Sequence, residues 1–169
     1  MSLDEIIQLL KLQPLPGEGG MFAESYRSKE SIPEGGLPAR YSGLRSTGTA
    51  IYYLLTDDRD SFSALHILKT DEIYHFYLGD PVEMLLLLPD GSSKQIILGQ
   101  DLVNGQSVQF TVPAGTWQGS HLVEGGRFAL MGTTMAPGFD PSDFRLGERS
   151  ELLSGWPQEA ERIRHLTRT

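Results

Sequence analysis

Turn-forming residues divide this sequence into short segments. Its 169 residues include 19 glycines and 10 prolines, which is above the combined average of about 12% for these two residue types. The runs between them are rich in β-branched and aromatic residues and recur at the spacing that is typical of a β-sandwich or barrel. The pattern excludes a bundle of long helices and predicts an all-β fold. The predicted strands cover residues 22–27, 49–55, 62–68, 72–78, 82–89, 94–98, 107–112, 117–123 and 127–135.

Helical patterns occur at the two ends of the chain. Ser2 and Glu5 have the spacing of a capping box, and apolar residues recur at helical intervals over residues 3–10. Near the C-terminus, Pro157 suits the first position of a helix, and residues 160–166 again have apolar side chains at helical spacing. We therefore expect a short helix at each end of the β-rich region.

The length of the chain allows one hydrophobic core, because two cores in 169 residues would each be marginal. We expect a single domain over residues 1–169, built as a double-sheet jelly roll or closed barrel. Polar residues on the inner face of such a barrel make a ligand cavity. Residues 28–46 form the one long loop, which is typical of lids and binding loops, and residues 137–155 are expected to run over the surface with two turns.

Charge and residue usage exclude several classes of function. With 14 Lys and Arg against 22 Asp and Glu, the net charge is −8, which disfavours binding to a nucleic-acid backbone. The absence of cysteine excludes disulfides, thiolate metal sites and cysteine nucleophiles, and it leaves four histidines. No segment resembles a signal peptide or a membrane helix. We expect a cytoplasmic protein with neither nucleic acid nor a membrane as partner.

The pattern over residues 62–79 resembles the first metal-binding motif of the cupin superfamily. That motif has two closely spaced histidines, then a glutamate and then a glycine, so that inward side chains of adjacent strands meet on a metal. His66, Glu72 and Gly79 fall in register with it, but Leu68 stands where the second histidine is expected. The resemblance implies a cupin frame that lacks one metal ligand.

A second cupin motif is similar to residues 105–118. Pro113 and Gly115 match the turn that precedes a strand, and Gln118 occupies the place of the last metal histidine. Over the whole chain the sequence resembles the cupin 5 (DUF985) family, whose reaction is not settled. This resemblance implies an all-β cupin double-stranded β-helix, a homodimer, and a build similar to nucleotide-sugar epimerases. The resembling stretches are 24–28, 49–55, 63–66, 71–77, 112–119, 126–130 and 136–140.

Strand alternation predicts which side chains face the cavity. If His66 points inward, Glu72, Tyr74 and Phe76 do so as well, and His75 faces the other way. In the first long strand Glu24 and Tyr26 have the same parity and are expected in the cavity. Gln118 is expected to contact a ligand through its amide, and Arg127 is a candidate for binding an anionic group.

Three functions are compatible with these residues. The first is metal-independent acid–base chemistry on a small carbonyl or sugar-type substrate, with His66 as base, Tyr26 or another cavity tyrosine as acid, and Glu72 orienting or protonating the substrate. The second is a module that binds a nucleotide or sugar nucleotide without turnover. The third is a dioxygenase or isomerase that holds a divalent metal through His66, Glu72 and His75. We favour the first, with no cofactor. The expected ligand contacts are Glu24, Tyr74, Phe76, Gln118 and Arg127.

Overall fold

The computed structural model describes residues 2–168, and over that range it is built mainly of antiparallel strands. The strands are β1 (Gln13–Pro14), β2 (Met21–Arg27), β3 (Ser31–Ile32), β4 (Arg45–Ser46), β5 (Thr49–Thr56), β6 (Ser63–Leu68), β7 (Glu72–Gly79), β8 (Val82–Leu87), β9 (Ser93–Leu98), β10 (Gln109–Val112), β11 (Trp117–Leu122), β12 (Phe128–Met135) and β13 (Phe144–Leu146), and the helices are α1 (Leu3–Leu10), α2 (Arg149–Gly155) and α3 (Ala160–His165).

Two sheets contain most of these strands. The six-stranded sheet has the order β1-β2-β5-β12-β7-β10, and the five-stranded sheet has the order β13-β6-β11-β8-β9. One core cluster combines Tyr53, Phe76 and Met131 of the first sheet with Met84 and Leu86 of the second. The inner faces of the two sheets therefore share a core, which is the double-sheet jelly roll that the sequence predicts.

The helices lie where the capping and proline signals predict them. Ser2 Oγ accepts a hydrogen bond from the Glu5 backbone N–H, and the Glu5 carboxylate accepts one from the Ser2 backbone, so the capping box of α1 is complete. The apolar stripe of α1 packs on Leu54 and Leu130 of the six-stranded sheet. A 3₁₀ turn at Pro157–Glu159 precedes α3. None of the helices between residues 2 and 168 has the length and apolarity to cross a bilayer.

The expectation that residues 137–155 only run over the surface is wrong for their second half. Residues 144–146 form β13, which pairs with β6 and adds an edge to the five-stranded sheet. Residues 149–155 form α2, whose Leu152 is fully buried in a cluster with Trp117 and Leu166. A strand and a helix as short as these acquire their structure from tertiary packing and leave no periodic pattern in the sequence.

The long loop at residues 28–46 is fastened to the barrel. Within it, β3 pairs with β4, and Tyr41 hydrogen-bonds through its hydroxyl to Thr70 Oγ1 at 2.8 Å. Arg45 donates from Nε and Nη2 to the two carboxylate oxygens of Asp143, each at 2.7 Å, and both side chains are buried. A bidentate buried pair of this kind fixes the geometry of both segments.

Candidate functional site

A cavity of about 320 Å³ lies at one end of the barrel. Its acidic and basic lining side chains are Glu18, Glu24, Arg27, His66 and Glu72, and the remaining wall is largely apolar and aromatic. Concave, mostly apolar sites with a few converging polar groups are typical of small-molecule binding. None of residues 28–46 lines the cavity. The lining residues therefore give no support to the expectation that the 28–46 loop acts as a lid. The apolar and aromatic lining residues are Leu15, Pro16, Phe22, Ile51, Tyr53, Leu68, Tyr74, Met135, Phe139, Pro141 and Phe144.

His66 and Glu72 form the polar centre of the cavity. His66 lies two residues before the end of β6 and Glu72 is the first residue of β7, so the short turn between these consecutive strands brings them together from opposite sheets. His66 Nε2 lies 3.9 Å from Glu72 Oε2. His66 Nδ1 lies 2.8 Å from the Ala64 carbonyl oxygen, and because a carbonyl only accepts hydrogen bonds, Nδ1 carries a proton and Nε2 is the nitrogen that faces Glu72.

Gln118 holds the Glu72 carboxylate in place through a buried hydrogen bond. It lies on β11 directly opposite His66 of β6 and donates from Nε2 to Glu72 Oε2 at 2.7 Å. Gln118 is only 1% exposed and is not part of the cavity wall. The position of Gln118 therefore does not support the prediction that its amide contacts a ligand. Its amide instead holds the Glu72 carboxylate in place.

Glu18 is a site residue that the sequence did not reveal. It accepts a hydrogen bond from Ser63 Oγ at 2.9 Å and lines the same cavity as His66 and Glu72. Its turn depends on glycine: Gly19 has φ +105°, and a Cβ there would lie 2.3 Å from the Phe62 carbonyl oxygen. Arg168 fastens this turn by donating to the carbonyl oxygens of Gly17 and Glu18. The run Gly17–Gly20 was the only sequence signal, and a glycine-rich turn does not specify where its one carboxylate points.

The neighbouring carboxylates control the protonation of His66. Burial by itself lowers the pKa of this imidazole, but Glu18 and Glu72 outweigh burial and raise the pKa to about 9. Burial raises the pKa of Glu18, and the nearby Glu72 raises it further, while His66 acts in the opposite direction. At neutral pH the cavity therefore contains an imidazolium flanked by two carboxyl groups.

Two buried tyrosines complete this polar centre. The pKa values of Tyr53 and Tyr74 are raised well above the ordinary value, mainly by burial and then by the carboxyl groups of Glu18 and Glu72. Both phenols are therefore neutral at physiological pH and can donate a hydrogen bond. Tyr74 lines the cavity as strand alternation predicts.

A family model described as Cupin_5, Cupin superfamily (DUF985), matches residues 4–147 of the chain. The chain belongs to this family. Protein YML079W of Saccharomyces cerevisiae, which is described as uncharacterized, is 33% identical over 178 residues, with 98% of this chain and 86% of the yeast protein covered. The crystal structure of protein SO0799 from Shewanella oneidensis is similar with a TM-score of 0.86 and 32% identity over 99% of this chain and 98% of that one.

A hypothetical protein from Leishmania major has the same TM-score of 0.86, with 28% identity over 99% of both chains. These relatives agree with the jelly-roll fold and the Cupin_5 assignment. Their names specify no reaction, so the similarity to nucleotide-sugar epimerases has no support from them and the chemistry must be argued from the site.

The Cupin_5 chain departs from the predicted alternation in its first long strand. The pairing of β2 with β5 shifts between Glu24 and Tyr26, so Ser25 is an extra residue in the manner of a β-bulge. As a result Glu24 and Arg27 line the cavity, and Tyr26 is 57% exposed outside it. The expectation that Tyr26 faces the cavity as the catalytic acid is wrong, whereas the placement of Glu24 agrees with the structure.

Two further candidates also lie outside the cavity. Phe76 points inward but packs in the core between the sheets, farther along the barrel. Arg127 is exposed immediately before β12, and its backbone N–H donates to Asp80 Oδ2 at 2.7 Å. Neither residue lines the cavity, so the predictions that they contact a ligand there are not supported by their positions.

The three side chains predicted to hold a metal, His66, Glu72 and His75, do not point to a common position. His75 lies on the outer side of its strand, where Nε2 meets Thr134 Oγ1 at 3.0 Å and Nδ1 meets Gln109 Nε2 at 3.1 Å. At the cupin ligand positions, Leu68 presents an apolar side chain and Gln118 an amide that is committed to Glu72. Within residues 2–168 no three His, Cys, Asp or Glu side chains are arranged to hold a metal ion. The residues present therefore do not fit a divalent metal held by His66, Glu72 and His75.

Proposed function

We propose that this Cupin_5 chain catalyses proton transfer on a small organic molecule, as in an isomerisation or epimerisation, without a metal. The observation that supports this proposal is the buried His66–Glu72 pair, whose facing atoms lie 3.9 Å apart in the wall of a cavity of about 320 Å³. Strongly perturbed ionisable groups that converge on a cleft are characteristic of acid–base sites.

The raised pKa of His66 reverses the roles that the sequence suggests. An imidazole with a pKa of about 9 holds its proton at neutral pH, so it acts as an acid or stabilises negative charge. The base is then the carboxylate of Glu72. Gln118 and His66 both face Glu72 Oε2, which leaves Oε1 to accept a proton from the substrate.

The proposed reaction begins when Glu72 removes a proton from a carbon next to a carbonyl group. Negative charge then develops on the carbonyl oxygen, where the N–H of the His66 imidazolium stabilises it. Delivery of a proton to the opposite face of the same carbon inverts its configuration, and delivery to a neighbouring atom moves the double bond. Because the pKa of Glu18 is raised, its carboxyl group can hold the proton that is returned.

Binding without turnover is the second candidate function, and the largely apolar and aromatic wall supports it. The nucleotide and sugar-nucleotide ligands expected for such a module are less well matched. Apart from His66, Arg27 is the cation among the lining residues. Arg27 already donates from Nε and Nη2 to the carboxylate of Glu24. A phosphate group would have to displace Glu24 to reach Arg27.

Deuterium exchange separates catalysis from binding. Small carbonyl and sugar-type compounds that raise the melting temperature of the protein are incubated with it in D₂O, and C–H exchange is followed by NMR. We expect exchange that falls roughly 100-fold or more in Glu72→Gln and His66→Gln. Tyr26→Phe is the matched control because Tyr26 lies outside the cavity. Bound compounds that show no exchange would favour the binding module.

The expected homodimer has an available strand edge. β1 pairs only with Met21 and Phe22 of β2, so the outer edge of residues 23–27 has no strand partner within residues 2–168. We propose that a second copy pairs with or packs beside this edge. Sedimentation velocity tests this proposal, and a purely monomeric species at micromolar concentration would exclude it.

A further inference from the structure

The ionisable side chains of the cavity do not balance in charge. Three carboxyl groups, those of Glu18, Glu24 and Glu72, face two cationic groups, those of Arg27 and His66. Glu24 and Arg27 neutralise each other at 2.7 Å, and their side chains are 40% and 42% exposed, which places this pair at the rim. The deeper part of the cavity therefore contains two carboxyl groups and one imidazolium, so it has one excess negative charge whenever both Glu18 and Glu72 are ionised.

The carboxyl oxygens of this cluster have more lone pairs than the protein donors around them can use. Glu18 Oε1 receives the Ser63 hydroxyl and Glu72 Oε2 receives the Gln118 amide, and the phenols of Tyr53 and Tyr74 can donate to Glu18 and Glu72 as well. Because a carboxylate can accept about four hydrogen bonds, each of the two can still accept from a ligand. Because Glu72 is only 7% exposed, bulk water compensates its charge poorly, and a buried carboxylate without full compensation is costly.

The aromatic wall suits a cation with an apolar body. Phe22, Phe139, Phe144 and the two tyrosines line the cavity, and Phe144 already stacks on the imidazole of His66 with ring centroids 5.2 Å apart. Aromatic faces attract organic cations, and the attraction grows when water is excluded. A cavity of about 150 Å³ admits benzene, so about 320 Å³ accommodates a body of one or two rings.

We infer that the cavity binds a small organic cation, an amine or amidine with an aromatic or similarly apolar body, whose N–H groups donate to Glu18 and whose charge is balanced by Glu18 and Glu72 together. The inference rests on the proposed function and gives its carbonyl substrate a basic nitrogen and an apolar body. Ligands that bear a phosphate or carboxylate are disfavoured, because they would add negative charge beside two carboxyl groups. The cation neutralises the charge of the ionised cluster and donates to carboxyl lone pairs that the protein leaves open.

Proton release is a further consequence of this pairing. Burial raises the pKa of Glu18 above its ordinary value in the free protein, so Glu18 keeps its proton to a higher pH than an exposed glutamate does. A cation bound beside Glu18 lowers that pKa, and the carboxyl group then gives up its proton. Binding of an amine is therefore expected to release protons, which a neutral ligand does not cause.

The test compares three probes of similar size and different charge at pH 6: 2-phenylethylamine, 2-phenylethanol and phenylacetate. Affinities are measured by isothermal titration calorimetry in buffers of different ionisation enthalpy, which also counts the protons released. We expect the amine to bind at least tenfold more tightly than the alcohol and to release protons, and phenylacetate to bind most weakly. Benzylamine and tryptamine test the size of the cation.

Isosteric variants assign the preference to the cavity carboxylates. Glu18→Gln and Glu72→Gln are expected to reduce the amine's advantage over the alcohol at least tenfold, and Glu18→Gln is expected to abolish proton release. Glu34→Gln removes an equal charge from an exposed residue of the 28–46 loop and is expected to change neither. Thermal unfolding of each variant verifies that the fold is retained.

The inference is overturned if the alcohol or phenylacetate binds as tightly as the amine, if no amine binds at millimolar concentration, or if the preference survives both carboxylate substitutions. These outcomes are independent of turnover. An amine that binds selectively but exchanges no C–H proton in D₂O contradicts only the proposed catalysis. Exchange on a neutral compound without any amine preference contradicts only the inferred ligand class.

Discussion

The protonation of His66 is set by its two carboxyl neighbours. Burial lowers the pKa of the imidazole, but Glu18 and Glu72 together raise it to about 9. Replacing Glu18 by Gln removes the largest single contribution that raises the pKa of His66, so we expect this pKa to fall by at least one unit. An NMR titration of the histidine ring protons measures this change. In the same spectra His165 provides an internal control, because burial and then His121 lower its pKa below 6.5.

A His66 pKa at or below 6.5 in the unsubstituted protein would contradict the proposed assignment of acid and base. In that case the imidazole would be neutral at physiological pH and would again qualify as the base. An unchanged pKa in Glu18→Gln would show that Glu18 does not act on His66, and it would also weaken the argument for excess negative charge in the cavity.

Site residues could be predicted only where local pattern determines orientation. The motif frame placed His66 in the cavity, and strand alternation placed Glu72 and Tyr74 there because the pairing of β7 with β12 is regular over residues 72–76. Tyr26 was misplaced because the bulge at Ser25 reverses the alternation, and a bulge has no clear sequence signature. Glu18 was missed because its orientation depends on Ser63 and Arg168, which are distant in sequence.

At the level of structural elements, the buried pair of Arg45 and Asp143 joins the 28–46 loop to the turn before β13. We expect Arg45→Met to reduce the free energy of unfolding by about 3 kcal/mol, because Asp143 would remain buried with only Lys69 Nζ, 3.7 Å away, as a partner. Urea unfolding followed by tryptophan fluorescence gives the value.

The matched control is Glu151→Gln, which weakens the pair of Arg145 and Glu151. That pair is also short, at 2.8 Å, but its side chains are 55% and 47% exposed, and exposed pairs contribute at most about 1 kcal/mol. Similar losses in Arg45→Met and Glu151→Gln would contradict the view that burial makes the first pair important for holding the loop.

The elements themselves were largely predictable from sequence. All nine predicted strands are present, because alternating apolar residues and turn-forming glycine, proline and aspartate mark most of their ends. The short strands β1, β3, β4 and β13 were not predicted, since two or three residues are too few to show a period of two. Each exists because another segment offers a pairing partner, as β6 does for β13.

For the whole molecule, the charged cluster of the cavity makes stability depend on pH. The folded protein binds a proton at His66 up to about pH 9, whereas the ordinary pKa of histidine is 6.5. A raised pKa in the folded state contributes stability that is fully present below pH 6.5 and is lost as the pH rises through about 9. The raised pKa of Glu18 acts in the same direction at lower pH.

We therefore expect the free energy of unfolding to fall between pH 6.5 and pH 9, with a contribution from His66 on the order of 3 kcal/mol. Urea unfolding at half-unit pH intervals measures the slope, and His66→Gln is expected to flatten it. Repulsion that grows with the net charge of −8 is present in both proteins and cancels in the comparison. Equal slopes in the two proteins would mean that folding does not raise the pKa of His66, and the imidazolium that the proposed chemistry requires at physiological pH would be excluded.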